Sequence, residues 1–83
     1  MTSYRLPIEV APLETGRYLA VCPAIQGCHA EGDTIAEAIE NLEDVARQLL
    51  ELRLEDGMPV PSELVEADSR TVVRGEVLVT IAG

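Results

Sequence analysis

The order of periodic segments predicts an α+β domain: an antiparallel sheet of about four strands, in the order βββαβ, with one long helix packed on one face. Three observations carry this expectation. Residues Tyr4 to Val10 alternate, with Tyr4, Leu6, Ile8 and Val10 on one side and Arg5, Pro7 and Glu9 on the other, the pattern of a strand packed on one face. From Ile35 to about Glu55, residues Ile35, Ala38, Ile39, Leu42, Val45, Ala46, Leu49, Leu50 and Leu52 fall on one broad apolar arc at about 100° per residue. The valine-rich end, Thr71 to Ile81, alternates again. No second helix is available to cover the apolar arc, so a sheet face has to do so.

Each element follows from local chemistry. Pro7 has no amide to donate, which predicts an edge position or an unpaired site in the ladder. Pro12 to Gly16 is turn-like, and Arg17 to Cys22 reads as a second strand completing a hairpin. A corner over Pro23 to Cys28 leads to a short third strand at His29 to Glu31. The helix opens at Thr34-Ile35-Ala36-Glu37, the spacing of a capping box, in which the Thr34 hydroxyl bonds the Glu37 amide while the Glu37 carboxylate reaches back. It closes at Gly57, a suitable C′ residue, and Pro59 prevents continuation. Arg53 falls inside the apolar arc, so the helix changes course there or that side chain snorkels to the rim. Met58 to Pro61 is a connector, Ser62 to Arg70 is polar, and Gly75 suggests a bulge in the last strand.

Composition narrows the function. A chain of 83 residues buries only about 60–65% of its unfolded surface, so the core is small and self-association into a homodimer or tetramer is expected. The net charge is −9, from 15 acids against six arginines and no lysine. That balance repels phosphate backbones and argues against direct nucleic-acid binding. With Tyr4 and Tyr18 as its only aromatics, the chain also lacks the rings on which single-stranded bases stack. A basic protein partner fits the charge, although acidity also serves solubility alone. No segment has the length or flanks of a signal peptide or membrane span, so a cytoplasmic setting is expected. In that setting Cys22 and Cys28 read as reduced, small hydrophobic residues.

Catalytic and ligand signatures are not found. Cys28 and His29 are neighbours in an extended segment and point to opposite faces, so they do not share a substrate or ion. A zinc site needs four ligands, and no carboxylate spacing completes one. Phosphate-binding glycine loops are missing. The chain reads as a non-enzyme with no cofactor and no metal. The partner-binding candidates are instead Glu37, Glu40, Asp44, Glu51 and Glu55, which fall within about 60° of arc opposite the apolar stripe. Like-charged neighbours at three or four residues each cost about 0.2–0.5 kcal/mol in an isolated helix, offset only by Glu43 to Arg47 and Arg47 to Glu51. A ridge that costs stability suits a docking surface for a cationic partner; the plainer reading is a solvated face.

The strand at Tyr18–Val21, the Pro23-to-Cys28 corner, the helix opening Gly32-Asp33-Thr34 and the exit Glu55-Asp56-Gly57-Met58-Pro59-Val60-Pro61 together resemble the HicB-like antitoxins of HicA–HicB toxin–antitoxin systems. The likeness is strongest over residues 4–61. One departure concerns the corner, where the family's usual Pro-Asp-Leu-Pro-Gly-Cys stands here as Pro23-Ala24-Ile25-Gln26-Gly27-Cys28, without the acid and the turn proline. The resemblance implies a degenerate ribonuclease H-like fold lacking catalytic carboxylates. It further implies an antitoxin that covers the active face of a small basic HicA-type mRNA-cleaving ribonuclease. Many relatives add a DNA-binding module; residues 1–83 are expected to form a single HicB-like domain with no separate one. An orphan HicB-like binding module without a toxin partner is the alternative.

Overall fold

A computed structural model describes residues 2–58 and 73–81. It contains β1 (Thr2–Pro12), β2 (Tyr18–Val21), β3 (His29–Gly32), α1 (Ile35–Glu55) and β4 (Val73–Ile81). The four strands form one antiparallel sheet in the order β3-β2-β1-β4, and α1 covers one face, as the periodicity predicts. The polar stretch Ser62 to Arg70 lies outside the described residues.

The alternation of β1 settles which face is covered. Leu6, Ile8 and Val10 point inward and are buried with Val77, Val79 and Ile81 of β4. Along α1 the fully buried residues are Ala38, Leu42, Ala46 and Leu50, one every four residues. Ile35, Ile39, Val45 and Leu49 flank that line and are half-buried against the core. Small alanines on the line let the helix approach the sheet, while Leu42 and Leu50 fill the space between them. Leu52 departs from expectation: it is 55% exposed. Beyond Leu50 no residue of α1 is buried, so the last turn runs past the core formed by the described residues. Arg53 is half-buried at that rim, consistent with a snorkelling side chain.

Two strand expectations are refined. β1 is an inner strand, yet β2 pairs only with Glu9 to Pro12. Pro7 lies opposite Glu76 of β4, on the stretch of β1 that has no β2 neighbour, so its missing amide is tolerated as at an edge. The expected bulge at Gly75 is not formed. The β1–β4 register runs unbroken from Thr2↔Ile81 through Ile8↔Gly75 to Val10↔Val73, so Gly75 occupies an ordinary ladder position.

The turns use glycine where the backbone demands it. The hairpin between β1 and β2 closes through Leu13 N–H to Arg17 O (2.8 Å) and Gly16 N–H to Leu13 O (3.1 Å), with Gly16 at φ +85°. At the end of α1, Gly57 N–H bonds Leu54 O (3.3 Å) and Met58 N–H bonds Arg53 O (2.8 Å), with Gly57 at φ +70°. This is a Schellman closure of the terminal carbonyls, as the Gly57 position predicts.

Gly32 is required for a different reason: a Cβ there would overlap the backbone of Ala38 and lie 2.8 Å from its Cα. Gly75, by contrast, has nothing within 4 Å of an added Cβ. The two glycines therefore respond oppositely to one methyl group. Gly32→Ala is expected to cost about 1–3 kcal/mol by overpacking, whereas Gly75→Ala is expected to gain about 0.4–1 kcal/mol by restricting the unfolded chain. Urea unfolding of the two variants checks this, and a neutral Gly32→Ala would refute the close approach.

Candidate partner interface

The start of α1 is held by a network that also orients its outer face. Thr34 Oγ1 accepts from Glu37 N–H at 3.0 Å, the forward half of the capping box. The return contact is displaced by one residue, since Glu37 Oε1 accepts from Asp33 N–H at 3.1 Å rather than from the cap residue itself. Arg17, on the strand side, donates through Nε to Asp33 Oδ1 at 3.0 Å and lies 3.5 Å from Glu31. Asn41 donates from α1 to the backbone oxygen of Glu31 at 2.9 Å, tying the helix to β3, an edge strand. The polar residues around this junction thus latch the helix at one rotational setting.

With Ala38, Leu42, Ala46 and Leu50 turned inward, the opposite side of α1 carries Glu37, Glu40, Asp44, Glu51 and Glu55, and all five are exposed. Glu37 serves the cap, and Asp44 accepts from Arg47 Nη1 at 3.0 Å. Arg47 therefore pairs with Asp44 rather than with Glu43 or Glu51, the partners that helical spacing offered. Glu40, Glu51 and Glu55 have no ion-pair partner among the described residues. From Glu37 to Glu55 the ridge is about 27 Å long at helical rise. Its geometry makes a continuous negative surface, and the described side chains on it do little to neutralise it.

The second surface is the corner between β2 and β3. Cys22 N–H donates to Cys28 O (2.9 Å), Ile25 N–H to Cys22 O (3.1 Å) and Cys28 N–H to Ile25 O (3.2 Å), with Gly27 at φ +77°. This folding drives Ile25 and Ala24 into the core, two core positions that strand and helix periodicity does not register, because they belong to neither. On the helix-free side, Leu19, Val21, Pro23, Gln26 and His29 line an open groove of about 480 Å³. His29 is exposed and Cys28 buried, on opposite faces as expected for neighbours. The Cys28 thiol donates to the Cys22 sulfur and holds the Cys22 pKa down to about 7 despite burial; the same bond, with burial, pushes Cys28 up. Among the described residues no three His, Cys, Asp or Glu side chains cluster closely enough to hold a metal ion, and no helix is long and apolar enough to cross a membrane. Glu9, on the helix-free face, is nevertheless 7% exposed, because strands flank it on both sides in register with Val21 and Arg74.

A family model described as the HicB-like antitoxin of bacterial toxin–antitoxin systems matches residues 6–81, which includes β4 as well as the hairpin and helix. The chain belongs to the HicB-like antitoxin family. Among solved structures, the N-terminal domain of the Burkholderia pseudomallei antitoxin HicB is 25% identical and superposes with a TM-score of 0.68, covering 95% of this chain and 99% of that one. The HicA3–HicB3 toxin–antitoxin complex contains a chain of the same fold, at 22% identity and a TM-score of 0.60, covering 96% and 100%. Two Synechocystis relatives are the UPF0150 proteins ssl0738, 45% identical over 71% of this chain and 81% of its own length, and ssr1765, 42% identical over 58% and 61%. The match thus spans less than two thirds of ssr1765.

For this HicB-like chain the energetic cost of the ridge is directly measurable. Glu51→Gln removes a like charge four residues from Glu55 and is expected to stabilise the fold by about 0.2–0.5 kcal/mol at low salt. The gain should fade at about 1 M salt, where screening acts over about 3 Å. Paired urea titrations at the two salt concentrations test this; a loss of stability at low salt would mean that Glu51 has a stabilising partner.

Proposed function

We propose that this protein is an antitoxin that binds and neutralises a small basic HicA-type mRNA-cleaving toxin, acting in the cytoplasm without catalysis of its own. The observation that carries the reading is the family match over residues 6–81. A fold relative taken from a HicA3–HicB3 complex supports a partner of the HicA type. The acidic ridge of Glu37, Glu40, Asp44, Glu51 and Glu55 suits that partner, because a cationic surface is attracted at long range by a row of carboxylates. Exposed charges individually add little affinity, so the ridge acts mainly on encounter rate and salt sensitivity.

Self-association into a homodimer or tetramer is part of the same proposal. Among the described residues β4 ends the sheet, and Leu78 on its helix-free side is 61% exposed, a combination that favours pairing with another chain. Light scattering at high micromolar concentration tests it, and a monomer would refute it.

The decisive experiment asks whether a small basic protein is encoded beside this gene, since its absence would favour the orphan-module reading, and purifies that protein where it is found. An equimolar amount of the antitoxin is expected to abolish that protein's cleavage of mRNA. Full cleavage in the presence of excess antitoxin would leave the orphan-module reading instead. Changing Glu40, Asp44 and Glu51 together to lysine is expected to lower the association rate by about tenfold or more at low salt, with a smaller effect at high salt. An unchanged rate at low salt would make the ridge a solvated face and move the interface to the sheet.

A further inference from the structure

We propose that Cys22 and Cys28 form a peroxide-responsive dithiol, reduced at rest, that closes to an intrachain disulfide across the β2–β3 corner. The inference is independent of the antitoxin reading. It begins from register. β2 and β3 pair Tyr18↔Gly32, Leu19↔Glu31, Ala20↔Ala30 and Val21↔His29, so the next opposed pair is Cys22 and Cys28. The bond from Cys22 N–H to Cys28 O, 2.9 Å, holds them there. The Cys28 amide turns instead to Ile25 O, and directly opposed residues of an antiparallel pair have Cα atoms about 4.5–5.5 Å apart, inside the range of about 4.4–6.8 Å that a disulfide spans. Both side chains turn to the same face, in the core, and are free thiols.

The surroundings give the pair distinct roles. Cys22 is the more acidic thiol, because Cys28 donates to it and the amides of Ala24 and Ile25 point at its sulfur. It is therefore the attacking sulfur, and Cys28, kept protonated, is the resolving one. Cys22 and Cys28 are only 1% and 4% exposed and face the core rather than the groove, so a molecule as small as a hydroperoxide reaches them through local opening of the corner. The corner is already fixed by its three backbone bonds and by Gly27 in the left-handed region, so closing the bridge needs little further ordering. A soft-metal role is less well supplied, since no third ligand stands nearby among the described residues.

The oxidant is a hydroperoxide, and the chemistry balances in two steps. The Cys22 thiolate attacks the O–O bond of hydrogen peroxide; an S–O bond forms, the O–O bond breaks, and hydroxide leaves and takes up a proton as water. The Cys28 sulfur then attacks the Cys22 sulfenic acid; the S–S bond forms, the S–O bond breaks, and the Cys28 proton leaves with the departing hydroxide as a second water. Two thiols are oxidised to one disulfide and one peroxide is reduced to two waters.

The test oxidises the full chain with hydrogen peroxide, denatures it in maleimide and weighs it. The expected product is lighter by two hydrogens, carries no maleimide, and recovers two labels after dithiothreitol. Two labels retained through the whole titration, a sulfinic acid on one cysteine, or a crosslinked dimer would each overturn the proposal. The rate of label loss is expected to climb about tenfold per pH unit below the Cys22 pKa and level off above it, near pH 7. A rate still climbing beyond that of an ordinary thiol would refute Cys22 as the attacker. Cys28→Ser should leave a dimedone-reactive sulfenic acid at Cys22, and Cys22→Ser should leave Cys28 unoxidised; the reverse pattern would refute the assignment. Should either variant fail to fold, the wild-type mass measurement decides alone.

Discussion

At the junction of β3 and α1, the backbone of Gly32 runs against the backbone of Ala38 with no room for a side chain between them. That apposition brings the first turn of the helix onto the sheet. The Thr34 hydroxyl then accepts from the Glu37 amide, one of the donors that a helix start leaves orphaned, and the Glu37 carboxylate accepts from the Asp33 amide. Arg17 and Asn41 tie the same region back to β2 and β3. Once the first turn is set, the four-residue spacing of Ala38, Leu42, Ala46 and Leu50 carries the contact along the sheet. A helix rotated by one position would bury Glu43 or Glu51 in their place, which the desolvation cost of a carboxylate forbids.

The outward acidic ridge is therefore a consequence of packing at the inward face. Among the described residues its charge is poorly offset. Arg17 clamps Asp33 and Glu31 at the helix start, and Arg47 answers the ridge through Asp44. Like charges along a helix destabilise it mildly, and the buried line opposite contributes far more than this costs. Leu42 and Leu50 are fully buried, and burying one such side chain is worth about 1.5–3 kcal/mol. The fold can thus carry a surface that is unfavourable by itself, as a HicB-like protein with a cationic partner would require.

The corner between β2 and β3 shows the same coupling of local backbone and chemistry. A proline, an inserted isoleucine and a left-handed glycine turn the chain within a few residues. The turn sets two cysteines face to face and leaves a shallow groove on the helix-free side. The usual family acid and turn proline are missing from this corner, yet backbone hydrogen bonds alone close it. Its contacts with any partner are consequently a property of this chain's own residues.

Much of the architecture was legible in the sequence, because two periods, 2 and 3.6, and a few caps encode it. The strand of β1, the helix from Ile35 to Glu55, the Thr34 cap and the Gly57 closure depend on neighbours within about five residues. So does the exposure of Glu37, Glu40, Asp44, Glu51 and Glu55, which follows from their placement opposite the apolar arc. Tertiary structure decided whatever depends on where an element ends relative to another. Leu52 lies on the arc but is exposed because the core formed by the described residues stops at Leu50. Gly75 sits in an unbroken ladder because β1 offers a partner at every position. Arg47 chooses Asp44 from three acids at helical spacing. Ile25 is core although it lies in a turn, and Cys22 meets Cys28 only because the β2–β3 register continues one pair beyond the strands. Local patterns specify which way a side chain points; only the assembled sheet and helix specify what it meets.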